Sequence, residues 1–355
     1  MSASMQTFTM LGLNETSIVD KPIPTPGPNE ALVKTTAALI CTSDVHTVRG
    51  ALPVEPGRTL GHESVGVVAA VGSAVAGFTE GQRVAVNAVT PCWQCSYCQR
   101  GLSSQCGGLL GGYKYTAQVD GNMAEYFLVP AAQANLAPIP DSVPDEAAVY
   151  ACDMLSTGFM GAEHAQITLG DTVVVFAQGA VGLAATIGAR LLGAGRIITV
   201  ESLPERVALS KRFGADEVVD YTHGDVVEQI LDLTSGQGAD ATIEALGAPH
   251  TFEAALACLK AGGTLSNVGY HGENPAPLQL DLMAFGLGMG EKTIRTGLCP
   301  GGSDRMRRIF TLIETGKVDP TPMTTHRFAF ADVQRAFTMM ADKEDGIVKP
   351  LITFA

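Results

Sequence analysis

Four thiols stand at Cys92, Cys95, Cys98 and Cys106, with the spacing C-x-x-C-x-x-C and a fourth cysteine after seven further residues. Four soft donors in one short, polar, glycine-rich stretch suit a structural zinc closed to substrate; an iron–sulfur cluster, whose opening spacing is similar, is the rival. A second set is scattered. Cys41 lies in Cys41-Thr42-Ser43-Asp44-Val45-His46, His62 and Glu63 lie in Gly61-His62-Glu63-Ser64-Val65-Gly66, and Asp153 follows Cys152. One thiolate, one imidazole and one carboxylate leave the fourth corner of a zinc tetrahedron for water or substrate, so the metal there acts as a Lewis acid. On chemistry alone Cys152, the softer donor, and Asp153 are both candidates for the third ligand.

A third constellation concerns a dinucleotide. The apolar run Asp171 to Ala177 is followed by the turn Gln178-Gly179-Ala180-Val181-Gly182, a helical run from Leu183 to Leu192, and a second apolar run, Arg196 to Val200, ending at Glu201. This is a βαβ unit with an acid about 20 residues beyond the glycines, as dinucleotide binding requires. Gly179 lets the backbone approach a pyrophosphate, Gly182 lets the helix pack on the sheet, and the helix N-terminus faces the anion. Ala177 occupies the position of the first glycine, which a methyl tolerates if φ stays negative. Glu201 can accept hydrogen bonds from ribose hydroxyls and would repel a 2′-phosphate, so NAD(H) is expected over NADP(H).

The elements around these residues fall into three stretches. Up to about residue 154, short β-rich runs such as Ala31–Ala37 and Arg83–Val86 alternate with Gly and Pro turns, the texture of a small barrel-like domain whose loops carry ligands. Residues 155–297 alternate strand and helix through Glu217–Val219, Asp225–Leu233, Asp240–Ala245, His250–Leu259 and Thr264–Val268, which reads as a doubly wound parallel sheet. From 298 onward amphipathic helices at Asp304–Thr315 and Asp332–Met340 and a closing run Leu351–Phe354 point to a return to the first domain. The segment Gly286–Gly290 shows no chemistry and reads as packed surface or a subunit contact.

The chain of 355 residues is long enough for two cores. Its net charge of −13 argues against nucleic acid. Met1-Ser2-Ala3-Ser4-Met5-Gln6 lacks the basic and apolar regions of a secretory leader, and no segment reaches the roughly 18 to 20 apolar residues of a membrane span. A cytoplasmic location is expected, where eight cysteines serve metal or burial rather than disulfides.

Taken together, the Gly61-His62-Glu63 stretch with Gly66 and Gly72, the Cys41, Ser43, Asp44 and His46 cluster, the four-cysteine lobe and the glycine turn make the chain resemble the medium-chain, zinc-dependent alcohol dehydrogenases. Cys41–Thr47, Asp153–Phe159, Gly193–Ile198 and Gly297–Gly302 are most similar to the bacterial secondary-alcohol (isopropanol-type) branch. The resemblance implies an α/β fold: a GroES-like catalytic domain with both zinc sites over 1–154, a Rossmann domain over 155–297, and a return over 298–355. It implies two zinc ions per subunit, one catalytic and one structural, and places the third catalytic ligand at Asp153, with Glu63 ligating or hydrogen-bonding nearby. By the same resemblance the reaction is reversible hydride transfer between a small secondary alcohol and a nicotinamide cofactor. Polyols, diols and primary aromatic alcohols are the alternatives, and a zinc-free quinone reductase or a non-catalytic relative the outer ones. Ser43 and His46 would relay the proton and Asp44 would accept the spare N–H of His62. Thr157 would meet the nicotinamide and Lys349 the pyrophosphate, and the family habit is a homo-oligomer, a tetramer before a dimer.

Overall fold

The computed structural model describes residues 3–273 and 275–355; Met1 and Ser2, which begin the Met1–Gln6 stretch read above, lie outside them. The chain divides into two compact units, Met1–Ser156 with Cys299–Ala355, and Thr157–Leu298. The closing segment thus folds with the first.

In the first unit, strand Ala31–Leu39 is the hub of a seven-stranded sheet. Glu63–Val71 runs antiparallel along its length, Tyr126–Val129 pairs with Ala31–Lys34, and Lys349–Thr353 pairs with Ala37–Leu39. The register slips between Thr35 and Ala37. Side chains alternate along a strand, so one extra residue exchanges its faces. Ala31 and Val33 accordingly enter one core with Val68, Val84, Phe127 and Val129, whereas Ala38 and Ile40 enter another with Phe8, Met10, Leu60 and Phe337. The Ser4–Gly12 and Glu15–Pro22 hairpin, joined by Arg58–Thr59, was not expected from the sequence; the half-exposed second strand carries no clean alternation, and Asn14 turns the chain at φ 58°.

The second unit is a six-stranded sheet in the order Glu217–Val219, Arg196–Val200, Thr172–Phe176, Ala239–Glu244, Leu259–Asn267, Thr293–Thr296, parallel throughout. Period-two alternation splits its apolar residues between two faces. Val174, Phe176, Ile198 and Val200 pack with Ile230, Phe252 and Leu256; Val173, Val175, Ile197 and Ile243 pack with Ala162, Ala185 and Ala189. Helices cover both faces, so the strands read as continuous apolar runs. Strand order reverses between Thr172–Phe176 and Ala239–Glu244, and the glycine turn leaves the carboxyl end of the former, where ligands of such sheets bind.

Candidate functional site

Cys41, His62, Glu63 and Asp153 each offer a ligand atom, and these atoms lie within 4.8 Å of one another. Neighbouring strands position Cys41, His62 and Glu63, and Asp153 immediately precedes helix Met154–His164. Cys41 follows the hub strand and opens helix Thr42–Val48, Glu63 begins the antiparallel neighbour, and Lys349 begins the strand on the other side. Asp44 joins two of these segments: its Oδ2 accepts the Cys41 amide (2.9 Å), starting the helix, and its Oδ1 accepts the Gly61 amide (3.1 Å). Gly61 adopts φ +91°, and a Cβ there would lie 2.7 Å from the Met123 nitrogen, so only glycine delivers His62 at this angle.

The two nitrogens of the buried His62 face different chemistry. Nε2 lies 3.5 Å from Asp153 Oδ2, 3.8 Å from Glu63 Oε1 and 3.2 Å from Ser43 Oγ. Nδ1 lies 3.4 Å from Asp44 Oδ1 and 3.1 Å from Tyr113 Oη. Burial opposes a charge on His62, yet Tyr113, Asp44 and Asp153 hold its pKa well above the ordinary value. Burial pushes Glu63 up against the pull of Lys349, and its Oε2 is buried without a partner among the described residues. A thiol, an imidazole and two carboxyls in a buried, acid-rich pocket with an orphaned oxygen fit a zinc ion. Cys152 is fully buried with its thiol 3.4 Å from the Ser64 carbonyl, outside this group.

Lys349 does not lie where the resemblance put it. Its ammonium is buried, donates to Glu63 Oε1 at 2.6 Å and to the Ile40 carbonyl at 3.1 Å, and is therefore spent inside the cluster and not offered to a pyrophosphate. Ser43 and His46 sit three residues apart on helix Thr42–Val48, one turn along the same side. Tyr113, which no pattern in Gly111-Gly112-Tyr113 signals, is the residue that the sequence reading missed.

The four cysteines of the lobe also lie within 4.8 Å of one another, and none is in a disulfide. Amide hydrogens point at the sulfurs: Cys92 Sγ accepts from Gln94 and Cys95, and Cys106 Sγ from Cys92. The Cys98 amide holds the Cys95 thiol down to about 6, while burial pushes Cys98 up to about 12. All four can ionise together only around a cation, which again fits zinc.

At the glycine turn, Gly179 caps helix Ala180–Leu191, and a Cβ on Gly182 would collide with the Ala177 carbonyl. Val181 stands in the first turn of that helix, and Thr157 is buried in helix Met154–His164. Ala177 departs from expectation, with φ +67° where a negative value was required. Gln178 stabilises the turn from inside, donating to the Ala177 carbonyl and accepting from Thr186. Glu201 is buried: Oε1 accepts the amides of Ser202 (2.9 Å) and Leu203 (3.1 Å), Oε2 accepts that of Gln178 (3.2 Å), and Arg206 stands 3.8 Å away.

Residues 27–141 match the model of the alcohol dehydrogenase GroES-like domain, and residues 180–315 that of the zinc-binding dehydrogenases. An alcohol dehydrogenase of Cupriavidus necator is 45% identical, over 98% of either chain. The chain belongs to the zinc-binding alcohol dehydrogenase family. It is an oxidoreductase acting on CH–OH groups, with a GroES-like and a Rossmann-type domain. The NADP-dependent isopropanol dehydrogenase of Thermoanaerobacter brockii is 44% identical, over 99% of this chain and 100% of that one. The solved alcohol dehydrogenase from Thermus sp. ATN1 superposes with a TM-score of 0.90 at 29% identity, over 99% of this chain and 100% of that one.

The expected preference for NAD(H) over NADP(H) is overturned by these alcohol dehydrogenases, since the isopropanol relatives at 41% to 44% identity are named NADP-dependent. The physical reason lies in Glu201. Its oxygens are occupied by three backbone amides, so the carboxylate is not presented to ribose hydroxyls as the sequence reading assumed.

Proposed function

We propose that the protein is a zinc-dependent dehydrogenase of small secondary alcohols that uses NADP(H). Cys41, His62 and Asp153, with Glu63 beside them, would hold the catalytic zinc, and Cys92, Cys95, Cys98 and Cys106 the structural one. The observation that carries this reading is the mixed, buried donor set with an orphaned Glu63 oxygen, in contrast to four closed thiols. Zinc in the mixed set would supply Lewis acidity toward an alcohol or carbonyl oxygen.

Oxidation of an alcohol releases a hydride from carbon and a proton from oxygen. Ser43 Oγ would take the proton and His46, one turn later, would exchange it with water; the 3.2 Å between Ser43 Oγ and the His62 nitrogen that faces the ligand cluster supports this reading. Asp44 keeps the proton of His62 on Nδ1, leaving Nε2 free to ligate. Thr157, Gly179, Val181 and Gly182 would bind and orient the dinucleotide.

The secondary-alcohol assignment draws on the isopropanol relatives, as does the cofactor. The chain is taken to be cytoplasmic and a homo-oligomer, a tetramer before a dimer, with the exposed Leu282, Met283, Leu287 and Met289 as support. Metal content and initial rates with propan-2-ol, a diol and benzyl alcohol, each with NADP+ and NAD+, test the whole. Two zinc ions and turnover of propan-2-ol with NADP+ are expected. Faster oxidation of benzyl alcohol or the diol would replace the substrate assignment, and a preference for NAD+ would refute the cofactor.

A further inference from the structure

Proper ligation by His62 needs more than Asp44. With Nε2 toward the cluster, the imidazole has one proton to place, on Nδ1. Two oxygens lie in reach, and the nearer is Tyr113 Oη at 3.1 Å, against 3.4 Å for Asp44 Oδ1. The Asp44 carboxylate is already divided, Oδ2 on the Cys41 amide and Oδ1 on the Gly61 amide. The Tyr113 ring meets the imidazole edge-on, with centroids 5.1 Å apart and planes at 69°, which restrains the plane of His62.

We propose that Tyr113 is a positioning residue of the catalytic metal centre: its hydroxyl oxygen shares the Nδ1 proton of His62 with Asp44, fixing the ligand in one orientation. The proposal rests on Cys41, His62 and Asp153 holding the catalytic zinc. It explains a tyrosine hydroxyl turned onto a histidine away from the ligand cluster. A shared acceptor leaves Asp44 able to hold its two amides, so the helix start at Cys41 and the turn at Gly61 stay tied while His62 ligates.

The test compares Tyr113→Phe, which keeps the ring and loses the oxygen, with Tyr113→Leu, which loses both. Zinc affinity of the mixed site is measured by chelator competition, the ligand field by the visible spectrum of protein carrying cobalt there, and turnover as kcat and KM separately. Tyr113→Phe should weaken zinc by roughly 10- to 100-fold, the range for outer partners of metal-bound histidine, shift the cobalt bands, and lower kcat more than it raises KM. Unchanged affinity and cobalt spectrum in the Phe variant overturn the proposal, and losses confined to the Leu variant do so too, by assigning the effect to ring packing. A Cys41→Ala variant that keeps the full zinc content of the parent refutes the reading of the site itself and the proposal with it.

Discussion

The two ligand sets of the first unit differ in how they are built. The four thiols come from one stretch of the chain, with sulfurs steered by amides of the same stretch. The mixed set is gathered from Cys41, His62, Glu63 and Asp153, and contacts between distant segments hold it: Asp44 ties Gly61 to Cys41, and Lys349 ties Glu63 to Ile40. A local set with four equivalent donors closes a lobe, whereas a distributed set with unequal donors keeps a reactive face. One should therefore govern stability and the other turnover.

Removing one ligand from each set is the strongest test of that division. Cys95→Ser should release about one zinc per chain and unfold the lobe, since zinc contributes on the order of 10 kcal/mol to small folds that depend on it. Differential scanning calorimetry and metal analysis read it. His62→Ala should instead lower kcat/KM by at least about a thousandfold, the loss of several kcal/mol of Lewis-acid stabilisation, with the lobe zinc retained. If the histidine variant were as unstable as the cysteine one, the two sets would not divide the work.

Next in size comes Lys349→Met, which leaves the fully buried Glu63 carboxylate without its ammonium. A broken buried pair costs about 3–5 kcal/mol, measurable by urea unfolding, and Glu63→Gln in the same chain should restore part of it. No recovery in the double variant would show that Lys349 acts through packing alone. Ser43→Ala should cost about 100-fold in kcat at unchanged zinc content, the low end for a positioned proton acceptor; normal turnover would remove serine from the relay. Cys152→Ala sits at the bottom of the scale, about 1 kcal/mol of lost packing with zinc and activity intact. Loss of the catalytic zinc in that variant would return Cys152 to the ligand set.

The contrast between the sets also governs how much could be read from sequence. The Cys92–Cys106 spacing is a local signal and was legible without a fold. The mixed set was legible as residue types, but only the resemblance chose Asp153 over Cys152, because contact across the hub strand leaves no mark on spacing. The parallel sheet was readable from apolar runs buried on both faces, with ends shifted by one to three residues: Leu183–Leu192 became Ala180–Leu191. Glu201, Ala177 and Lys349 failed for one physical reason. In each case residue type suggested a role, while the state depended on who supplied the partners: backbone amides for Glu201, a left-handed turn for Ala177, a buried acid for Lys349. Tyr113 gave no signal, since a tyrosine in a glycine-rich stretch has no period to betray its contact.

The Lys349–Glu63 bond bears on the order of folding. Lys349 and Glu63 are 286 positions apart in the chain, and the strand of Lys349 pairs with Ala37–Leu39. Cys41, His62 and Glu63 lie close together in sequence, but the cation that neutralises Glu63 is separated from them by the whole of the second unit, residues 157–298. Burying that carboxylate before the Lys349 strand has docked would cost several kcal/mol, so the mixed set closes late in folding, while the four-thiol lobe, local in sequence, can form early.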